Sequence, residues 1–160
     1  MGYAFGMSTT TVRALPKGRP SLMGKVTTAI TITNAGDEAR AEDGTLAPSK
    51  VRRITLNGVL ADTGASMLCL PAPMIAQLGL RLRDEINIKT ATGPARARRF
   101  RSVTLTVEGR SGSFDCLELP GGSEPLLGYF PMESLGIELD LKNQRLVLLP
   151  DHGDGTYLTA

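Results

Sequence analysis

The stretch Asn57-Gly58-Val59-Leu60-Ala61-Asp62-Thr63-Gly64-Ala65-Ser66 holds the residues with the clearest capacity for chemistry. An apolar run delivers Asp62 to a loop of small residues, and a second apolar run, Met67-Leu68-Cys69-Leu70, leaves it. Both flanks read as buried, and a carboxylate between buried flanks needs partners. Thr63 offers a hydroxyl, while Gly64, Ala65 and Ser66 offer backbone N–H groups under little steric cover. Such a loop can hold an ionised carboxylate, or one half of a carboxylate pair, and still leave room for the backbone of a ligand. The alternative is a structural turn Asp beside an ordinary Asn57-Gly58 hairpin.

The rest of the composition narrows the chemistry. One histidine, His152, and two cysteines, Cys69 and Cys116, exclude most zinc sites built within one chain and disfavour Ser-His-Asp or Cys-His hydrolysis. Both cysteines lie in strand-like apolar segments and read as buried thiols, which makes a reducing cytoplasm the default location. Aromatic residues are 4% and net charge is +2, so a nucleic-acid partner is not expected. No run approaches the roughly 20 apolar residues of a membrane span, and the first residues lack the pattern of a signal peptide. Basic residues gather in 81–110, with 8 against 3 acids, notably Arg96, Arg98, Arg99 and Arg101. A solvated strand face is their simplest reading, with an acidic partner surface as the sharper one. His152 and Asp140 read as surface residues.

The elements that must position Asp62 are short. With 160 residues the chain is about one domain, able to bury roughly 70% of its unfolded surface. β-branched alternation predicts a strand from Val26 to Thr33, and the polar segment 34–49 reads as a long loop. Asn57-Gly58 predicts a hairpin turn between 51–55 and 59–61. Residues 67–70 read as a strand, and Pro71 to Leu78 as a short helix stopped by Gly79. Strands at 85–89, 96–101, 103–107 and 113–119 are punctuated by turns at Thr92-Gly93-Pro94 and Gly109–Gly112. Leu126-Leu127-Gly128 precedes one or two helical turns from Phe130 to Leu135, and a last hairpin pairs 137–141 with 145–149. Many short strands with frequent turns predict an all-β barrel or sandwich.

Hydrophobic-hydrophobic-Asp62-Thr63-Gly64-Ala65, followed far along the chain by Leu126-Leu127-Gly128 and a short helix, resembles the retropepsin-like aspartic proteases, the single-domain relatives of the pepsin family. The resemblance covers about residues 24–150. It implies an all-β acid-protease barrel, of the closed retropepsin-like kind, with one or two short helices, spanning 25–150 between a flexible N-terminal arm (1–24) and a C-terminal tail (151–160). It implies an aspartic endopeptidase that needs neither metal nor cofactor and takes a peptide or protein substrate, with no nucleic acid and no membrane. Because the chain has one such motif, it implies a homodimer in which Asp62 of each copy forms the dyad.

The same resemblance gives Thr63 a role across the dimer axis, places Gly64 against substrate backbone, and puts Ala65 and Ser66 in loop support. Leu126, Leu127 and Gly128 would pack behind the loop. The flap would run from about Ile86 to Arg101, with Ile88 on its arm and Thr90, Ala91, Thr92, Gly93 and Pro94 at the tip. Where viral members usually carry a second acid and an Arg, this chain has Ser66 and Tyr129, which implies a different network supporting the dimer. Pro94 should stiffen the flap tip. The final hairpin resembles the lobes of pepsin-like enzymes. A non-catalytic, dimerising peptide-binding or scaffold module with the same barrel is the alternative function, and an unrelated all-β binding domain is a third.

Overall fold

The computed structural model describes residues 25–150; the expected arm, tail and His152 lie outside the described residues. Nine strands and three short α-helices follow in the order β1 (Val26–Asn34), α1 (Ala35–Glu42), β2 (Arg53–Ala61), β3 (Leu68–Pro71), α2 (Ala72–Leu78), β4 (Arg81–Thr90), β5 (Gly93–Val107), β6 (Arg110–Leu119), β7 (Leu126–Leu127), α3 (Tyr129–Ser134), β8 (Ile137–Asp140) and β9 (Arg145–Leu148). A single 3-10 turn, Pro48–Lys50, precedes β2. Among the described residues the protein is mostly β, with three short α-helices where one or two are expected.

Seven strands form one sheet in the order β1-β2-β7-β3-β6-β5-β4, and β1 also pairs with β5, which closes six of them into a hydrogen-bonded ring. β5 is long enough to change partners. Its first part pairs with β4 as far as Arg81↔Arg101, and from Val103 onward it pairs with β1. The ring encloses Ile30, Ile32, Leu68, Leu70, Leu78, Leu105, Leu127 and Leu135, all fully buried. In β1 the alternation read from the sequence has its expected consequence, with Val26, Thr28, Ile30 and Ile32 turned inward. β8 and β9 form a separate hairpin. Arg110 holds it to the ring by donating to the carbonyls of Leu135 (3.0 Å), Gly136 (2.8 Å) and Leu149 (2.6 Å).

Two local expectations are corrected. Asn57-Gly58 is not a hairpin turn. β2 runs straight through it, and the register with β1 steps from Thr28↔Val59 to Ile30↔Leu56, so Asn57 and Gly58 together face Ala29. This is a β-bulge, and Gly58, at φ 70°, supplies the left-handed residue it needs. Segment 34–49 is not simply a loop, because α1 occupies Ala35–Glu42. Asn34 caps it, accepting the Asp37 N–H at 3.0 Å while donating to Leu78 O at 2.8 Å. Asp37 is 1% exposed and ties α1 to the chain before β2 through Arg52.

Candidate active site

β2 ends at buried Ala61 and places Asp62 at the mouth of a six-residue connection to β3. The Asp62 N–H donates to Leu127 O at 2.9 Å, continuing the parallel pairing of Leu60↔Leu126 and Ala61↔Leu127. The loop then folds over its own carboxylate. Asp62 O accepts the Ala65 N–H at 3.1 Å, and Asp62 Oδ1 accepts the Gly64 N–H at 2.8 Å. A Cβ on Gly64 would sit 3.0 Å from that same oxygen, so glycine leaves the carboxylate its position. Asp62 is 6% exposed, whereas Thr63, Gly64 and Ser66 beside it are exposed. A nearly buried carboxylate thus lies under an accessible backbone of small residues.

Leu126-Leu127-Gly128 lies against this loop, with Gly128 between the Met67 and Ala65 carbonyls. The Gly128 contact is the tightest in the site. A Cβ there would fall 2.3 Å from Met67 O and 2.8 Å from Ala65 O. Just beyond it, the N–H groups of Tyr129 and Phe130 donate to Ala65 O (2.8 Å) and Ser66 O (2.9 Å). The start of α3 and the Asp62 loop are therefore laced together through the backbone. The two rings form a tilted pair 5.9 Å apart, and Phe130 is 57% exposed. The Tyr129 hydroxyl donates to Glu133 at 2.8 Å, and that carboxylate raises its pKa.

A second apolar cluster, distinct from the ring core, joins this loop to the β4–β5 hairpin. It contains Ala65, Cys69, Ala97, Leu117, Leu119 and Leu126, with Leu60, Met67, Ile86 and Ile88 packed against it. Ile86 and Ile88 belong to the arm expected to be a flap, so the hairpin and the Asp62 loop share one apolar wall. The tip residues instead bond among themselves, with Thr90 Oγ1 donating to Gly93 O at 2.7 Å and accepting the Thr92 N–H at 3.3 Å. Pro94 pairs with Lys89 at the start of β5. Leu117 and Leu119 were not singled out in the sequence as site residues; the signal available was their alternation in β6 toward one face.

Both cysteines are buried and free, as read. Burial pushes the Cys69 thiol well up, and Cys116 and Asp62 add to this; burial also pushes Cys116 up. Neither has the depressed pKa of a thiolate nucleophile. Arg96, Arg98 and Arg99 lie in ion pairs with Glu85, Glu118 and Asp84, and Arg98 also stands 5.1 Å over the Phe100 ring. Asp140 is a turn anchor, accepting from Asn143 Nδ2 at 2.7 Å and Arg145 Nε at 3.2 Å. Among the described residues no helix is long and apolar enough to cross a membrane.

A comparison with curated proteins finds no match. The family model described as aspartyl protease matches residues 58–130, from the Gly58 bulge through the Asp62 loop and the hairpin to Phe130. The family resemblance carried by Asp62-Thr63-Gly64 and Leu126-Leu127-Gly128 is therefore to an aspartyl protease family of the retropepsin-like clan.

Proposed function

We propose that this chain is an aspartic endopeptidase that works as a homodimer, with Asp62 from each copy meeting across a two-fold axis in an acid-protease barrel. The observation that carries this reading is a carboxylate 6% exposed, set under the exposed small residues Thr63 and Gly64 within the segment that matches the aspartyl protease family. Two facts favour a second copy over a lone site. The chain contains one Asp-Thr-Gly loop, and beside it the exposed Tyr129–Phe130 pair offers apolar surface to cover.

The chemistry follows from the pairing. Two carboxylates about 3 Å apart cannot both ionise, so they share one proton and hold one water. The ionised member takes a proton from that water as its oxygen attacks the peptide carbonyl carbon. The protonated member gives its proton to the carbonyl oxygen. Collapse of the resulting diol breaks the C–N bond, with a proton delivered to the leaving nitrogen, so one water is consumed per bond cleaved. Thr63 would bond across the axis, and Gly64 would meet the substrate backbone where a side chain would obstruct it. The β4–β5 hairpin would close over an extended substrate as a flap, excluding water that weakens the dyad's electrostatics. Its Ile86 and Ile88 already share a cluster with Ala65.

The test is cleavage of a peptide library by the full chain beside Asp62→Asn, from about pH 3 to 8, with sedimentation to measure mass. Cleavage that disappears in a folded, dimeric Asp62→Asn supports the reading. Full cleavage by that variant, or a stable monomer that cleaves, overturns it.

A further inference from the structure

We infer that a second site, a cavity of about 540 Å³ between α1, the chain before β2 and the base of the β4–β5 hairpin, binds a small phosphorylated anion. This inference does not rest on the catalytic reading. The cavity sits where β5 exchanges β4 for β1, and it is lined by Arg40, Arg52, Arg81 and Arg101 against one carboxylate, Asp37.

That carboxylate does not neutralise the group. Both its oxygens are taken: Oδ1 accepts from Arg40 Nη2 (2.8 Å) and Arg52 Nη2 (2.9 Å), and Oδ2 from Arg52 Nε (2.7 Å) and the Arg52 N–H (3.1 Å). Asp37 fixes two guanidinium groups in place and leaves them further donors, since each guanidinium carries five N–H bonds. Arg81 and Arg101 are the unusual pair. They are direct cross-strand partners, and like charges facing each other across a ladder destabilise it. The acids nearest in the hairpin are engaged elsewhere, Asp84 by Arg99 at 2.6 Å and Asp115 by Arg83 at 2.7 Å. Among the described residues neither Arg81 nor Arg101 has an acidic partner at salt-bridge distance.

A bulge strengthens the arrangement. Between Phe100↔Cys116 and Val103↔Phe114, both Arg101 and Ser102 face Asp115, so the strand is re-aimed at this point and Ser102 joins the lining. Among the described residues the lining therefore holds four guanidinium groups against the one carboxylate of Asp37, with Asp84 and Asp115 near Arg101 but bonded to Arg99 and Arg83, and concave low-dielectric walls focus such a field. Arginine forks match phosphate oxygens in paired hydrogen bonds, and a dianion suits the surplus better than a single carboxylate. The volume exceeds one phosphate group, which points to a phosphomonoester or diphosphate of a small molecule.

Calorimetric titration of the full chain with pyrophosphate, and separately with phenyl phosphate, at constant ionic strength tests this. Saturable binding at one site per chain is expected, weakened about tenfold or more by Arg81→Gln and by Arg101→Gln, and unchanged by Arg145→Gln outside the cavity. Both cavity variants remove a like-charge confrontation, so they should keep or raise the melting temperature of the free chain. Heats no different from those of matched sodium chloride, or equal affinity in Arg81→Gln and Arg101→Gln, would overturn the assignment.

Discussion

Asp37 and Asp62 are both buried, 1% and 6% exposed, yet their surroundings are opposite. Asp37 is held by two arginines and a backbone N–H, and hydrogen bonds from Arg52 keep its carboxyl well below the usual carboxylate range. Ionised across the neutral range, it fastens α1 to the chain before β2. Asp62 sits where β2 and β7 end side by side, accepts the Gly64 N–H, and lies beneath the exposed small residues Thr63 and Gly64. One carboxylate is surrounded by its counter-ions, and the other is set beside open backbone that a peptide could approach. Burial alone does not distinguish a structural acid from a candidate catalytic one; what packs against the oxygens does.

Substitution should separate the two. Asp62→Asn keeps an oxygen to accept the Gly64 N–H, so stability should change by less than about 1 kcal/mol. Peptide cleavage should fall by about a thousandfold or more. Parallel melts and rate measurements check both halves, and a large loss of stability would make Asp62 a structural acid like Asp37. Gly128→Ala attacks the same site from behind. Its Cβ would meet the Met67 and Ala65 carbonyls, which are backbone and cannot swing away, so a loss of about 3 kcal/mol is expected by denaturant titration.

At the other pole, Asp37→Asn removes the charge that Arg40 and Arg52 share. Both arginines are about half exposed and rehydrate once released, so the cost should be about 2 kcal/mol, below that of a fully buried pair. The pH dependence follows in sign. A carboxyl whose folded pKa is depressed stabilises the fold above its unfolded value, near 3.9, and loses that contribution as pH falls through the folded value. Wild type should therefore lose stability below about pH 4, while Asp37→Asn shows a flatter acid limb between the same pH values. Acid melts of both proteins check it.

The same contrast explains what was legible in the sequence. Asp62-Thr63-Gly64 and Leu126-Leu127-Gly128 could be read because their roles are written in local residue types: small where backbones touch, apolar where strands are buried. Helix α2 was readable for the same reason, with Pro71 at its start and Gly79 at its left-handed end. Helix α1 was not. Its anchor is Arg52, fifteen residues beyond Asp37, and the polar, Gly- and Pro-containing composition of 34–49 reads as a loop. The arginine cavity was hidden for a related reason. Arg40, Arg52, Arg81 and Arg101 converge only because β5 changes partners; the basic run at 96–101 contains Arg101, but beside Arg96, Arg98 and Arg99, which are paired on the strand, nothing in it marks Arg101 as facing Arg40, Arg52 and Arg81.

Strand β2 links the two poles, starting just after Arg52 and ending just before Asp62, and Gly58 is the place where its chemistry could be misread. A turn glycine and a bulge glycine share a left-handed backbone, so Asn57-Gly58 fits either, and only the pairing of both flanks with one strand, β1, decides for the bulge. Gly58 has open space where a Cβ would stand, so Gly58→Ala adds backbone strain and no collision. The expected cost is about 1 kcal/mol, with no effect on cleavage, and Gly58→Asn should recover part of it because Asn tolerates that conformation. Because the strain falls between the poles and touches neither, the melting temperature should drop while the acid limb set by Asp37 and the cleavage rate per folded chain stay unchanged. A changed rate in Gly58→Ala would mean that the bulge sets the reach of β2, and with it the position of Asp62.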